Sequence, residues 1–260
     1  MSYENIRYEL RDSIAVVTLD RPKVLNALNA ATLGELEAVF ATIAADESIR
    51  AVLLTGAGEK AFAAGADISE LAKVSAAEGQ SLAQRGQRIF ASIENCGKPV
   101  IACINGFALG GGCELALACT LRIGSEAARL GQPEVKLGLI PGYGGSQRLP
   151  RLVGKGAALK ILLTGEILSA TEALRIGLLD EVVPADKLLA RGEEIARAIA
   201  AVAPFAVRQC LAAVHQGYDL PLAQALELEA SLFGLCCATE DKAEGTRAFL
   251  EKRAALWQGK

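Results

Sequence analysis

The sequence contains a single histidine, His215. It falls in a stretch that reads as a C-terminal helix. A Ser-His-Asp triad would have to use it, which argues against hydrolase chemistry of that kind. Imidazole-based metal sites are equally starved. Cysteine is present but unpaired in pattern: Cys96, Cys103, Cys113, Cys119, Cys210, Cys236 and Cys237 are odd in number and include no Cys-x-x-Cys. Neither a zinc site nor a dithiol motif is indicated. Most of these thiols sit in apolar segments, as small hydrophobes do. A reducing cytoplasm is the expected setting. There is no basic run, and a formal charge of −3 gives no electrostatic case for nucleic acid. The opening residues, Met1 to Arg7, carry charges where an export signal needs an apolar core. One stretch, Lys98 to Leu117, is long enough to span a membrane. It contains Asn105, Glu114 and four glycines, which argues against that reading.

At 260 residues, 52% hydrophobic and 22% charged, the chain fits one large α/β domain or one domain with a helical appendage. Ile14 to Leu19 reads as a strand, broken by Asp20-Arg21-Pro22-Lys23. Asn29 to Ala45 reads as an amphipathic helix with Leu33, Leu36, Val39, Phe40 and Ile43 on one face. Ala51 to Thr55 is a buried strand. Ser75 to Ile93 reads as a helix with Ser75 as its cap. Pro99 to Ile104 and Cys119 to Gly124 read as further strands. From Lys155 onward the pattern is helical, with Pro204 and Pro221 as first-turn prolines. Strand–helix–strand spacing implies sheets covered by helices.

The stretch from Lys98 to Leu117 organises the rest. A strand ends at Asn105-Gly106. Then come Gly110, Gly111 and Gly112, followed by Cys113-Glu114-Leu115. Successive glycines suit a place where another molecule touches the backbone. The helix they open has free N–H groups in its first turn, ready for developing negative charge. Glu114 is the only ionisable acid or base between Lys98 and Arg122 other than cysteine. It reads either as a helix-capping glutamate or as a paired, pKa-shifted or catalytic one. Ala61 to Ala66 is small and apolar, which suggests a closely approached backbone. Asp67 and Ser69 follow as helix starters. Glu134 follows Pro133 in apolar surroundings and carries the same two readings. The glycines of Leu137 to Leu149 lack a P-loop ending, and no Gly-x-Gly-x-x-Gly follows a strand.

Four segments, in this order, resemble the enoyl-CoA hydratase/isomerase family, the crotonase superfamily. They are Ala61 to Leu71, Ile104 to Leu115, Gln132 to Leu149, and Leu163-Thr164-Gly165-Glu166 through Val183. The resemblance runs from Ile14 to Trp257. It implies an α/β fold: a spiral of β-β-α turns over 1–197, with two roughly perpendicular sheets, and a helical trimerisation region over 198–260. Trimers of this family commonly pair into hexamers. It implies an oxyanion hole made of the Ala66 and Gly111 N–H groups, which bind a thioester oxygen. It places the two hydratase glutamates at Glu114, which holds and activates water, and Glu134, which delivers a proton to C2. Coenzyme A, as part of the substrate, is expected along Val24, Leu25, Ala64, Ala66, Asp67 and Ile68. Phe249 and Lys252 match positions near the adenine and phosphates, often supplied by a neighbouring subunit. No metal or organic cofactor is implied. The alternatives are an isomerase or other acyl-CoA chemistry, and a non-enzymatic RNA- or CoA-binding member, against which the charge argues.

Overall fold

The computed structural model describes residues 3–72 and 74–260; Met1, Ser2 and the side chain of Ser69 lie outside the described residues. The chain starts with β1 (Ile6–Arg11), antiparallel to β2 (Ile14–Leu19). Next comes α1 (Ala30–Ala45), capped by Asn29, whose side chain accepts from Thr32 N at 2.8 Å. The expected face of α1 is its buried face: Leu33, Leu36, Val39, Phe40 and Ile43 are all 1% exposed or less.

From there the backbone repeats one unit. A strand in a first sheet is followed by a short strand in a second sheet, then by helix. The pairs are β3 (Ala51–Gly56) with β4 (Ala61–Ala64), β5 (Val100–Ile104) with β6 (Phe107–Leu109), and β7 (Leu121–Ser125) with β8 (Arg129–Gly131). The helices that follow them include α2 (Ile68–Leu71), α3 (Ala76–Glu94), α4 (Gly111–Leu117), α5 (Gly145–Val153) and α6 (Lys155–Thr164). Within each sheet the members of successive units pair in parallel: β3 with β5, β5 with β7, β4 with β6, β6 with β8. This is a spiral of β-β-α turns. β9 (Ile167–Ser169) closes the second sheet antiparallel to β8, and β10 (Glu181–Val183) closes the first beside β7, with α7 (Ala170–Arg175) between them.

The first sheet is buried on both faces, as parallel sheets are. One face joins the main core with α1 and α3. The other is covered by α8 (Leu188–Ala200), with Val16, Leu53, Ile101 and Ile123 packed around Leu188 and Ala196. The expected boundary at 197/198 falls in the last turn of α8. The helices α9 (Pro204–Gly217), α10 (Leu222–Cys237) and α11 (Glu240–Glu251) follow. Pro204 is the first helical residue of α9, as expected. Pro221 caps α10 from outside rather than beginning it, because its ψ of 139° is extended. Among the described residues no single helix is long and apolar enough to cross a membrane.

Glycine makes the corners between the sheets. A β-carbon on Gly56 would lie 2.3 Å from Ala61 O, and one on Gly106 would lie 2.2 Å from Lys60 O. The Asn105 amide pins the same corner by donating to the Gly56 and Gly58 carbonyls at 3.0 and 2.7 Å. Helix α4 packs on β4 with no more room: a β-carbon on Gly112 would stand 1.9 Å from Ala63 O. Gly112→Ala should therefore cost about 3 kcal/mol or more, a fall of about 6–12 °C in the thermal midpoint. An unchanged midpoint would show that α4 does not rest on β4.

Candidate active site

Each of the three glycines at the start of α4 does a different thing. Gly110 has φ of +51°, which favours a residue without a β-carbon, and a β-carbon there would lie 2.7 Å from Glu134 Oε1. Its absence leaves room for that carboxylate. Gly112 permits the contact with β4. Gly111 is the first residue of α4, so its N–H has no partner within the helix. A β-carbon on Gly111 would stand 3.5 Å from Ala66 N and 3.4 Å from the Tyr143 ring. The triplet thus has two packing purposes besides the N–H of Gly111, which has no partner within the helix.

The second N–H comes from the segment after β4. Leu28 and Ala66 form an isolated parallel bridge. Leu28 N donates to Gly65 O at 2.9 Å and Asp67 N donates to Leu28 O at 3.0 Å. In a parallel bridge the central residue turns its own N–H to the other side. For Ala66 the other side is that of Gly111. Two small residues, one after β4 and one opening α4, therefore lie side by side.

Both residues line a cavity of about 1210 Å³. Glu114 and Glu134 line it as well, so the structure brings together all four residues expected to be catalytic. Ala64 and Ile68 are also on its wall. Val24, Leu25 and Asp67 are not on the wall but flank it. Ala64 N donates to Leu25 O at 3.0 Å, and Asp67 pairs with Arg21 at 3.5 Å. Val24 is 48% exposed. Phe249 and Lys252 stand away from the cavity: Phe249, on α11, is 83% exposed, and Lys252 caps that helix in the left-handed region.

Glu114 is 2% exposed. Its Oε1 accepts from Tyr143 N and from Gly145 N, each at 2.7 Å. The loop before α5 therefore wraps one oxygen of the carboxyl, while Oε2 receives no donor among the described residues. Burial pushes the Glu114 pKa up to about 7; the two backbone N–H bonds pull it back and the charge of Glu134 adds to the rise. Glu134 sits in a 3-10 turn, Pro133–Leu137, half-buried, and burial raises its pKa too. Gln132 is 1% exposed. Turned so that both ends of its amide are satisfied, its nitrogen lies 3.1 and 3.2 Å from the two Glu134 oxygens.

Tyr143 is a wall residue that the sequence did not single out. Its ring packs edge-on to Phe90, centroids 5.4 Å apart. Gly86 of α3 makes space for it, since a β-carbon there would lie 2.1 Å from the ring. An aromatic residue inside a glycine-rich loop was the available signal. Gln132 and Gly145 also went unread, although Gln132 directly precedes Pro133-Glu134.

The arrangement sets two carboxyl groups of raised pKa beside two N–H donors, one of them at a helix start. It can stabilise an oxyanion while moving a proton on a neighbouring carbon. Among the described residues no three His, Cys, Asp or Glu side chains gather as a metal-binding group.

Fold and site together are those of an acyl-CoA enzyme of the crotonase type, and the chain belongs to the enoyl-CoA hydratase/isomerase family, whose profile matches residues 9–260. It is 47% identical over 255 residues to a crotonyl-CoA hydratase of Syntrophomonas wolfei, covering 98% of each chain. It is 48% identical over 253 residues to a short-chain-enoyl-CoA hydratase of Clostridium acetobutylicum, covering 97% of each. Among solved structures, an enoyl-CoA hydratase from Bacillus anthracis superposes with a TM-score of 0.96 at 40% identity, covering 99% of this chain and 100% of that one.

The raised pKa of Glu114 has a stability consequence. The folded chain keeps a proton that the unfolded chain releases near pH 4.5, so stability falls as pH rises from about 4.5 to about 7 and is level above that. Glu114→Gln keeps the Oε1 acceptor and removes the ionisation. At pH 8 it should be more stable than the parent by on the order of 3 kcal/mol, most of the gap opening between about pH 5 and 7. Unfolding midpoints of both proteins at pH 5 and pH 8 measure this. A gap that does not change with pH would mean that Glu114 is not held protonated.

Proposed function

We propose that this chain adds water reversibly across the double bond of trans-2-enoyl-CoA thioesters to give 3-hydroxyacyl-CoA. The observation that carries the reading is the joint placement of Glu114 and Glu134 on one cavity wall with the Ala66 and Gly111 amides. The names of the similar proteins support the same reaction. In this mechanism the two amide N–H groups donate to the thioester oxygen, where charge builds as C2 gains a proton. Donors of this kind are worth ~3–4 kcal/mol each. Glu134 is the acid that delivers the proton to C2. Glu114 holds the water and takes its proton as oxygen attacks C3. Afterwards Glu134 is ionised and Glu114 protonated, and exchange with solvent restores the pair. Coenzyme A lies along the segment from Val24 through Ile68, and no metal or organic cofactor takes part. A reducing cytoplasm fits seven free cysteines, four of them buried.

The sharpest check is on the glutamates. Gln is close to Glu in shape, so Glu114→Gln and Glu134→Gln should fold. Each should lose about 10²–10⁴ in the rate of crotonyl-CoA hydration. Because both act in one addition step, the double variant should be far less impaired than the product of the two losses. Near-parent hydration by either single variant would defeat the two-carboxylate mechanism. A parent that hydrates no enoyl-CoA but shifts a 3-enoyl double bond to position 2 would install the isomerase reading.

The enzyme works as a trimer or a pair of trimers. Leu222, Phe233, Phe249, Leu250 and Leu256 are 70–83% exposed on the C-terminal helices and the tail that follows, more apolar surface than a monomer keeps in water. In the assembly Phe249 and Lys252 reach the adenine end of a neighbour's coenzyme A. Obligate interfaces bury roughly 2,000 Å² or more. Sedimentation at micromolar protein should give three or six chains per particle. A particle of one 27.1 kDa chain would contradict this.

A further inference from the structure

A second cavity, of about 110 Å³, shares no wall residue with the first. The loops leading into β3 and β5, the start of α9 and the C-terminal Gln258-Gly259 meet there. Three cations line it, Arg50, Lys98 and Arg208, against one carboxylate, Glu47. Among the described residues none of the three forms an ion pair or donates a side-chain hydrogen bond. Arginines elsewhere in the chain behave differently: Arg11, Arg148 and Arg191 each grip a carboxylate at 2.7–2.8 Å.

The cations are held in place by packing. Arg208 lies over the Phe205 ring, 5.1 Å from its centroid. Its stem passes 3.6 Å from where a β-carbon on Gly97 would stand. A β-carbon on Gly259, whose φ is +78°, would lie 3.4 Å from the Arg50 guanidinium and 3.4 Å from Pro204. The three charges act on one another: burial and the charges of Arg208 and Arg50 push the Lys98 ammonium below its usual pKa, while Glu47 pulls the other way. Helix α9, of 14 residues, begins at this cavity with no side-chain cap, so its first free N–H groups and positive dipole end add to the same field. Three like charges gathered against a single lining carboxylate that pairs with none of them are unfavourable. A small anion removes that cost.

We propose that this cavity binds one phosphate-type oxyanion, held by Arg50, Lys98, Arg208 and the start of α9. The volume admits a few waters or one tetrahedral ion and leaves a nucleoside outside. The ligand is therefore free phosphate or the terminal phosphoryl group of a larger molecule. Once bound, it ties α9 and the C-terminal tail to the loops beneath the first sheet. Binding to the folded state alone raises stability.

The full-length protein, without coenzyme A, is titrated with inorganic phosphate; variants at Arg50 and Arg208 separate this site from the other cavity. Ionic strength is fixed with sodium chloride, and the thermal midpoint is followed. The parent's midpoint should rise with the logarithm of phosphate concentration once above the dissociation constant, by about 3–6 °C at ten times that constant. Arg50→Gln/Arg208→Gln should bind at least tenfold more weakly while hydrating crotonyl-CoA at the parent rate, since neither residue lines the substrate cavity. If the double variant does not fold, Arg208→Gln, at an exposed position, carries the same test. An arm with adenosine monophosphate separates the sources. A response there too means that a phosphoryl group of a larger ligand enters, a response to phosphate alone means the free ion, and both support the site. No rise in the parent beyond that given by sodium chloride, or an equal rise in the variants, overturns it.

Discussion

A carboxyl group that is 2% exposed has to be held by something, and in this chain the holder is backbone. Tyr143 N and Gly145 N both donate to the same oxygen of Glu114. That pair fixes the loop from Pro141 to Gly145 against α4, and with it the Tyr143 ring against Phe90. The other oxygen is left for chemistry. Burial and backbone bonding act in opposite directions on the proton. Burial wins, so the group titrates near neutrality instead of near pH 4.5. A group tuned this way can both give and take a proton at working pH. The same tuning weakens the fold at neutral and alkaline pH, which is the usual trade at catalytic positions.

The spiral supplies what one buried acid cannot. Ala66 follows β4, and Gly111 follows β6, the next strand of the same sheet. Neighbouring turns of the spiral thus deliver one N–H each to one point. Glu114 and Glu134 come from the same turn and the next: one on the helix after β6, the other just after β8. The glycines that let β4, β6 and α4 approach one another, Gly106 and Gly112, matter as much as those facing the cavity. They set the distance between the two amides. A site built from backbone in this way tolerates changes of side chain around it and suffers from the addition of a single methyl group at a contact.

The sequence was legible where burial is symmetric. β2, β3 and β5 lie in a sheet covered on both faces, so each reads as a nearly continuous apolar run, while β7 carries the buried Arg122. β1 escaped because it is an edge strand whose residues are mostly exposed and alternate in charge, Arg7, Glu9 and Arg11. The second sheet escaped because strands such as Phe107–Leu109 and Arg129–Gly131 are three residues long, too short for any period to show. The spiral was therefore available only through likeness to a family. Glu114, Glu134 and Gly111 were visible as polar or flexible residues in apolar company. Tyr143 and Gly145 were not, because they act on Glu114 through main-chain N–H groups that every residue possesses. The cation cavity was equally hidden: Arg50, Lys98 and Arg208 are far apart in sequence and meet only in the fold.

The central claim is that Glu134 moves the proton at C2 of a thioester whose oxygen rests on Ala66 and Gly111. Exchange at C2 of a saturated acyl-CoA in deuterated water tests that step without any hydration. Proton NMR of butyryl-CoA incubated with enzyme should show loss of C2 hydrogen with the parent. Exchange should persist in part with Glu114→Gln and be abolished with Glu134→Gln. Parent-like exchange by Glu134→Gln, or no exchange by the parent, would contradict the account.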